Sequence, residues 1–205
     1  MRHSRLSIVI CLGIAVWPAS VTPSRSCGFD DPGGVNTSRG VLNWIYPNAL
    51  YVTSAVWKAQ VDGVIAKSLP RDQRVRSLLG GYAEAARTLR RFGQNISAVQ
   101  TESSQPSISL VLLSPVLWTR YAATENGYTT EIHAKGASAG DVVLVTDEPV
   151  VEALVEGRLT ADVAEKRGLI RFYGTQPDIA TIRSFLLQAY KVSGGRSDSS
   201  TEGKL

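Results

Sequence analysis

The chain has 205 residues, 43% of them hydrophobic, and a formal net charge of +4 at pH 7. Three of its 22 basic residues (Arg2, Arg5 and Arg25) lie in the first 26 positions, which hold no acid, so the remainder is close to neutral at about +1. This near-neutral charge argues against nucleic-acid binding, and the length suffices for one domain with a substantial core.

Residues 1–26 have the layout of a secretory signal peptide. Arginines precede an apolar run of ten residues, Ile8–Trp17, and a polar stretch rich in small residues follows it up to Ser26. Ten apolar residues are too few to span a bilayer as a helix. The alternative is a buried N-terminal helix. We expect an exported protein, periplasmic in a bacterium, whose mature part has no transmembrane segment.

Cysteine usage excludes an intrachain disulfide in the mature part. Cys11 belongs to the leader, which leaves Cys27 as the other cysteine. A lipoprotein would carry its acylated cysteine at such a position, but the residue three places earlier, commonly leucine, is Ser24. A thiol or an intermolecular bridge therefore fits the sequence better than a lipid anchor.

Two helices are predicted in residues 27–70, after a turn-rich arm. The first runs from Asn36 to Tyr46 and ends at Pro47, because the residue before a proline is disfavoured in the α region. The second follows Asn48 and ends before Leu69-Pro70. The positions Leu50, Ser54, Trp57, Val61 and Val64 are separated by four and three residues, which places them on one face of a helix. We expect this face to be buried.

The strongest helical periodicity runs from Arg71 to about Gln100. One face carries Val75, Leu78, Leu79, Tyr82, Ala86, Leu89, Phe92, Ile96 and Val99. Gly80-Gly81 costs about 1 kcal/mol per glycine relative to alanine, which a close helix crossing or a bend would explain. The opposite face is either a solvated surface or a site for anionic lipid or a protein partner. It carries Arg71, Arg74, Arg76, Arg87, Arg90 and Arg91.

Strand signals dominate residues 108–134. The β-branched and aromatic run Ile108–Ala123 is interrupted at Ser114-Pro115, which predicts a strand on each side or one edge strand bent there. Asn126-Gly127 lies between two alternating segments and predicts a hairpin.

The stretch Asp141–Tyr190 predicts strand, helix, helix, strand and helix. Asp147 and Thr160 are suited to cap the first two helices, and Pro177 lies near the start of the third. Glycines end the elements between them. The third helix has an apolar face of Ile179, Ile182, Phe185, Leu186 and Ala189. The tail after Tyr190 is expected to be disordered.

No catalytic constellation is found. Gly136–Gly140 matches the G-x-S-x-G pattern of hydrolases, but it leads into a strand rather than a helix, and His133 precedes Ser138 instead of following it. After the predicted leader the chain has one histidine and one cysteine, which do not make a usual zinc site, and no acidic cluster has the spacing of a calcium loop. We therefore expect a protein that is not an enzyme and has no cofactor.

The stretch Asp141–Gly174 resembles the sterol carrier protein 2 (SCP-2) family. Three segments carry the resemblance: the strand ending at Asp147, the turn Gly157-Arg158-Leu159-Thr160, and the glycine-flanked strand Gly168–Gly174. With the preceding hairpin, the resemblance covers about Val116–Tyr190. It implies an α+β fold with a twisted, mostly antiparallel sheet of about four to five strands covered by helices, here preceded by two helices, and it implies reversible binding of lipids.

These observations define the expected organisation and function. The segments are a signal peptide (1–26), an arm with helices (27–70), an SCP-2-like domain led by the Arg-rich helix (71–190) and a tail (191–205). The expected function is binding of a lipid or another apolar ligand. The alternative is a protein-interaction module that uses the same fold without a ligand, with the partner at Arg71–Arg91. Residues expected to face a ligand, or else to be plain core, are Trp118, Tyr121, Val151, Leu154, Phe172 and Phe185.

Overall fold

The computed structural model describes residues 27–28, 34–67, 78–99 and 105–191. The predicted leader, the start of the Arg-rich helix and the predicted disordered tail lie outside these residues. In the described part the helices are α1 (Val35–Ile45), α2 (Ala49–Val61), α3 (Leu78–Ala98), α4 (Glu148–Val155), α5 (Ala161–Lys166) and α6 (Gln176–Ala189). The strands are β1 (Ile108–Leu112), β2 (Leu117–Thr124), β3 (Gly127–Ile132), β4 (Val142–Thr146) and β5 (Arg171–Tyr173).

The five strands form one sheet in the order β3-β2-β1-β4-β5. Only the β1–β4 pair is parallel, and the other three pairs are antiparallel. The predicted hairpin is present, with Thr124 paired to Gly127 across a two-residue loop. Ser114-Pro115 lies in the turn between β1 and β2, so the first of the two alternatives is correct. The predicted α+β fold with a mostly antiparallel sheet is confirmed.

Helices cover both faces of this sheet. Side chains alternate along a strand, so Tyr121 and Trp118, three positions apart on β2, point to opposite faces. The Tyr121 ring lies 5.6 Å from that of Phe92 on α3, whereas the Trp118 ring lies 6.1 Å from that of Tyr46, just after α1. We call the α3 side the inner face and the α1–α2 side the outer face. Strand β4 is buried along its whole length because both layers cover it.

Helix α3 approaches the sheet most closely at Gly93. A Cβ atom there would lie 2.6 Å from Thr130 Oγ1 and 2.9 Å from Tyr121 Cε1. The Tyr121 hydroxyl donates to the Leu89 carbonyl oxygen at 2.9 Å, and the Tyr190 hydroxyl donates to that of Phe92 at 3.3 Å. The helix is thus held by buried phenols as well as by apolar packing. The sequence marked Gly80-Gly81 for a close contact and gave no sign of Gly93.

The predicted caps of the C-terminal helices are confirmed. Asp147 accepts a hydrogen bond from the Glu148 N–H at the start of α4, and Thr160 accepts one from Val163 at the start of α5. In α6 the predicted apolar positions Ile179, Ile182, Phe185 and Leu186 are buried.

The predicted buried face of α2 is wrong. Leu50, Trp57 and Val61 are more than half exposed, and the residues that pack inward are Ala49, Val52, Val56 and Ala59. Small side chains allow α2 to lie close to the sheet, and the larger apolar residues are left on the side facing away from it. None of the described helices is long and apolar enough to cross a membrane.

We expect Gly93→Ala to lower the free energy of unfolding by about 1–3 kcal/mol, because the new methyl group would overpack the contact with Thr130 and Tyr121. Gly40→Ala is the matched control, since α1 has nothing within 4 Å of a Cβ at that position. This control should raise stability by about 0.5–1 kcal/mol through helix propensity alone. Urea denaturation measures both, and equal gains in the two variants would contradict the close approach.

Candidate functional site

The candidate site is the apolar interior between the inner face of the sheet and helices α3, α4 and α6. Tyr121 and Phe172 lie on this face, because the strand register aligns them through β1 and β4. Val151 and Leu154 on α4 and Phe185 on α6 are buried in the core. Trp118 is the exception among the six residues expected to face a ligand, because it lies on the outer face against Tyr46.

Tyr121 is a fixed structural residue of this interior. Its side chain is fully buried, its hydroxyl donates to Leu89, and its ring packs against Phe92. Burial raises the pKa of Tyr121 well above 10, and the neighbouring Tyr190 adds to the shift. The phenol therefore stays neutral at physiological pH and serves as a hydrogen-bond donor.

Thr119 is the polar residue of the interior that sequence reasoning missed. It lies two positions before Tyr121 on β2 and therefore points to the same face, between Leu110 of β1 and Ile132 of β3. The side chain is fully buried. Its Oγ1 is the one buried side-chain oxygen or nitrogen that lacks a hydrogen-bond partner in the described part of the chain.

Short side chains of α3 lie at the same level as Thr119. The Tyr82 ring of α3 is 6.3 Å from that of His133 at the end of β3, and further along α3 the Leu89 carbonyl meets Tyr121. Ala85 and Ala86 lie between these two contacts and are buried. Helix α3 packs along β3, from His133 at the end of the strand to Thr130. Because Thr119 is the register partner of Ile132, which lies between those two residues, Thr119 is at the level of this segment. The arrangement is one hydroxyl group without a hydrogen-bond partner among buried apolar side chains.

A charged pair lies over the β5 end of this interior. The Arg183 guanidinium of α6 is 5.4 Å from the centre of the half-buried Phe172 ring. Its Nε lies 2.9 Å from both carboxylate oxygens of Glu165 on α5. Hydrogen bonding to Glu165 raises the pKa of Arg183, so the guanidinium remains charged. At this end of the interior the Arg183–Glu165 pair therefore lies at the surface and the Phe172 ring lies beneath it.

The other buried polar groups are engaged within the protein. On the outer face, Asp141 accepts hydrogen bonds from Ser109 and Arg120. At the opposite end of β4, Asp147 accepts from the Ser114 N–H at 3.0 Å and from its hydroxyl. Burial raises the pKa of Asp147, while the bonds from Ser114 and Glu148 and the nearby Arg39 partly oppose the shift.

The G-x-S-x-G segment is a loop between β3 and β4, as expected. The Ser138 N–H donates to Ser109 Oγ at 3.3 Å, and the Ser138 carbonyl accepts from the Asp141 N–H. Among the described residues, no group of three or more His, Cys, Asp or Glu side chains is arranged to hold a metal ion.

Cys27 lies at the turn between β1 and β2. Its Sγ is buried and is 3.7 Å from the Pro115 carbonyl oxygen, which also accepts from the Gly28 N–H. Acylation of this thiol, or an intermolecular disulfide, would require Cys27 to leave this position.

No family model matches the chain, and no curated protein sequence matches it significantly. Solved structures of SCP2 proteins do. The crystal structure of sterol carrier protein 2 like 2 from Aedes aegypti is 17% identical, with a TM-score of 0.41 over 50% of this chain and 96% of that chain. A crystal structure of sterol carrier protein 2 is 18% identical, with a TM-score of 0.38 over 55% and 92%.

A stereoselective inverting sec-alkylsulfatase from Pseudomonas also matches. It is 10% identical, with a TM-score of 0.31, and the match covers 47% of this chain but only 14% of the enzyme. The SCP-2-like resemblance noted in the sequence thus recurs among solved structures, over about half of the chain.

The buried carboxyl of Asp147 should leave a signature in the pH dependence of stability. Its pKa is higher in the folded protein than in the unfolded chain, so the native state binds the proton more tightly. Stability should therefore fall as the pH rises from the unfolded value of about 4 to the folded one, and be constant above it. Asp147→Asn removes the titration, and Asp147→Ala additionally removes the cap, at about 1–2 kcal/mol.

The measurement is the difference in free energy of unfolding between wild type and Asp147→Asn at several pH values from about 4 upward. Subtracting the free energy of unfolding of the variant from that of the wild type removes the contribution of the titrating groups that the two proteins share. A difference that does not change with pH would show that the carboxyl has an ordinary pKa in the folded protein.

Proposed function

We propose that the protein is an exported, non-catalytic binding protein for a lipid or another apolar ligand. The observation that carries the proposal is the buried Thr119 hydroxyl, which has no hydrogen-bond partner among the described residues. It lies in the apolar interior between the sheet and the helices. A ligand with an apolar body and one hydroxyl, carbonyl or carboxyl group would complement this interior.

The energetics of Thr119 favour a ligand over a purely structural role. A buried hydroxyl without a partner costs about 1–3 kcal/mol, and a valine of nearly the same shape would avoid this cost. A protein that only needed a packed core at this position would be more stable with valine. The hydroxyl is useful if a bound molecule supplies its partner.

Two sequence features support the remaining parts of the proposal. The resemblance of Asp141–Gly174 to the SCP-2 family implies reversible lipid binding without catalysis. The leader in residues 1–26 supports export, and N-terminal sequencing of protein recovered from the periplasm tests that part separately. An N-terminus at residue 1, in protein retained inside the cell, would contradict export.

Thr119→Val tests the assignment of the ligand site. In ligand-free protein the variant should be as stable as wild type or more stable, by up to about 2 kcal/mol, because no polar group is left unpaired. Its affinity for a ligand with a hydroxyl or carboxyl group should fall about 5- to 10-fold, the equivalent of one neutral hydrogen bond. Thr129→Val, an exposed position on β3, is the control and should change neither quantity.

The measurements are urea denaturation and titration with fluorescent fatty acid, sterol and phospholipid. Native mass spectrometry of the purified full chain, with extraction of bound material, shows whether a ligand is carried from the cell. A protein that is recovered empty and binds none of the three probes would refute the proposed function.

A second candidate function, binding of an acidic protein partner, rests on the solvent-exposed side of α3. Arg87, Arg90 and Arg91 are exposed there, and none of them forms an ion pair within the described residues. Their spacing places them on one side of the helix. The other three arginines of Arg71–Arg91 lie outside the described residues.

Replacing Arg87, Arg90 and Arg91 together with glutamine should abolish in-cell crosslinking to such a partner and leave the melting temperature and ligand titration unchanged. Glutamine keeps the helix propensity and removes only the charge. An unchanged crosslinking pattern would exclude this surface as the partner site.

A further inference from the structure

Helices α1 and α2 present large apolar side chains to the solvent on the side facing away from the sheet. Trp44 is 87% exposed and Trp57 is 67% exposed. We define the aromatic face as these two residues and the other exposed apolar residues of the two helices. Its members are Val41, Trp44, Ile45, Leu50, Tyr51, Trp57 and Val61.

This face is not explained by the packing of the domain. Helix α2 already buries Val52, Val56 and Ala59 against the rest of the protein. A surface helix normally has a polar outer side, and a helix that is apolar all round is normally buried. Contiguous exposed apolar surface marks a site of interaction with a protein or a membrane. The outer side of α2 is therefore expected to have a partner.

The residue types favour a membrane surface. Trp and Tyr have an apolar body with one polar group and concentrate at the boundary between headgroups and acyl chains. The polar groups of Trp44, Tyr51 and Trp57 would remain among the hydrated lipid headgroups, while the neighbouring Leu50 and Val61 would lie among the acyl chains. Helix α2 has 13 residues, which is too short to cross a bilayer and suits a helix that lies in the plane of the interface.

The charges favour an anionic surface. Residues 35–61 contain no acidic side chain. In the described segment 34–67, the charged residues are Arg39, Lys58, Lys67 and Asp62, which give a net charge of +2. Lys58 and Lys67 are exposed, and Lys58 forms an ion pair with Asp62. Positive charge next to an apolar face attracts acidic lipid headgroups.

We propose that the aromatic face docks this protein on the surface of an anionic phospholipid bilayer, with Trp44 and Trp57 at the level of the headgroups. Docking extends the proposed function, since a carrier of apolar ligands exchanges them with bilayers. It does not depend on that function, because the aromatic face lies on the opposite side of the sheet from Thr119.

The test compares proteins recovered after export, so that the apolar leader does not itself bind the vesicles, and Trp17 is replaced by Phe so that any uncleaved leader adds no tryptophan fluorescence. Vesicles contain phosphatidylcholine with or without phosphatidylglycerol, and binding is measured by flotation. Quenching by brominated lipid reports on Trp44 and Trp57, because Trp118 is buried. We expect the quenching of both, and binding stronger on anionic vesicles by roughly tenfold, from a few basic residues near the surface.

Trp44→Ser with Trp57→Ser should lower the vesicle partition coefficient by at least about tenfold, since two large apolar side chains no longer enter the interface. Leu187→Ser, at an exposed apolar position on α6 away from the aromatic face, is the control and should retain wild-type binding. Melting temperature checks folding in both variants.

Equal binding by the double variant and the wild type, without quenching, would overturn the proposal. So would a dimer in light scattering that the double variant disrupts, with no vesicle binding, because it would assign the face to a second copy. Ligand titration of the same proteins separates the two functions: vesicle binding without any ligand would refute only the proposed carrier role.

Discussion

The architecture depends on two buried aspartates that hold β4 next to β1. This pair is parallel, so no hairpin turn sets its register. Asp141, just before β4, accepts a 2.6 Å hydrogen bond from Ser109 near the start of β1, and Asp147, just after β4, accepts from Ser114 beyond the end of β1. Each end of the parallel pair is therefore tied by one carboxylate. A slip of one residue would break both ties and turn every side chain of β4 to the wrong face.

With β4 fixed, the sheet separates two functional surfaces. Leu144 of β4 points to the inner face with Tyr121 and Thr119, and its neighbours Val143 and Val145 point to the outer face, where α2 packs. The proposed ligand interior and the proposed bilayer-docking face therefore lie on opposite sides of one rigid layer. A ligand that leaves the interior would have to pass an edge of the sheet or a helix boundary rather than cross the docking face directly.

Much of the fold could be predicted because its signals are local. Caps at Asp147 and Thr160 and the two-residue hairpin loop before Gly127 depend on a few neighbouring residues. The errors came from choices that depend on tertiary contacts. Helix α2 is apolar on two sides, and the partner that selected its small-residue side is not visible in its own sequence. The close approach at Gly93 has the same origin, because it exists only relative to Tyr121 and Thr130.

The candidate site was predictable in part. Side chains alternate along β2, so Trp118 and Tyr121 point to opposite faces and Thr119 points to the same face as Tyr121. Both placements could have been predicted from residue numbers alone. The missing hydrogen bond of Thr119 could not be predicted, because it depends on what three elements bring near it.

The contacts that hold α3 on the interior differ along the length of the helix. Moving α3 near Leu89 or Phe92 would break the hydrogen bonds from Tyr121 and Tyr190, leaving buried phenols without partners at a cost of about 1–3 kcal/mol each. Near Ala85 and Ala86, α3 contributes only short side chains, so displacement there uncovers less apolar surface. This segment lies at the level of Thr119. Helix α3 is therefore held by hydrogen bonds at Leu89 and Phe92 and by short apolar side chains at the level of Thr119.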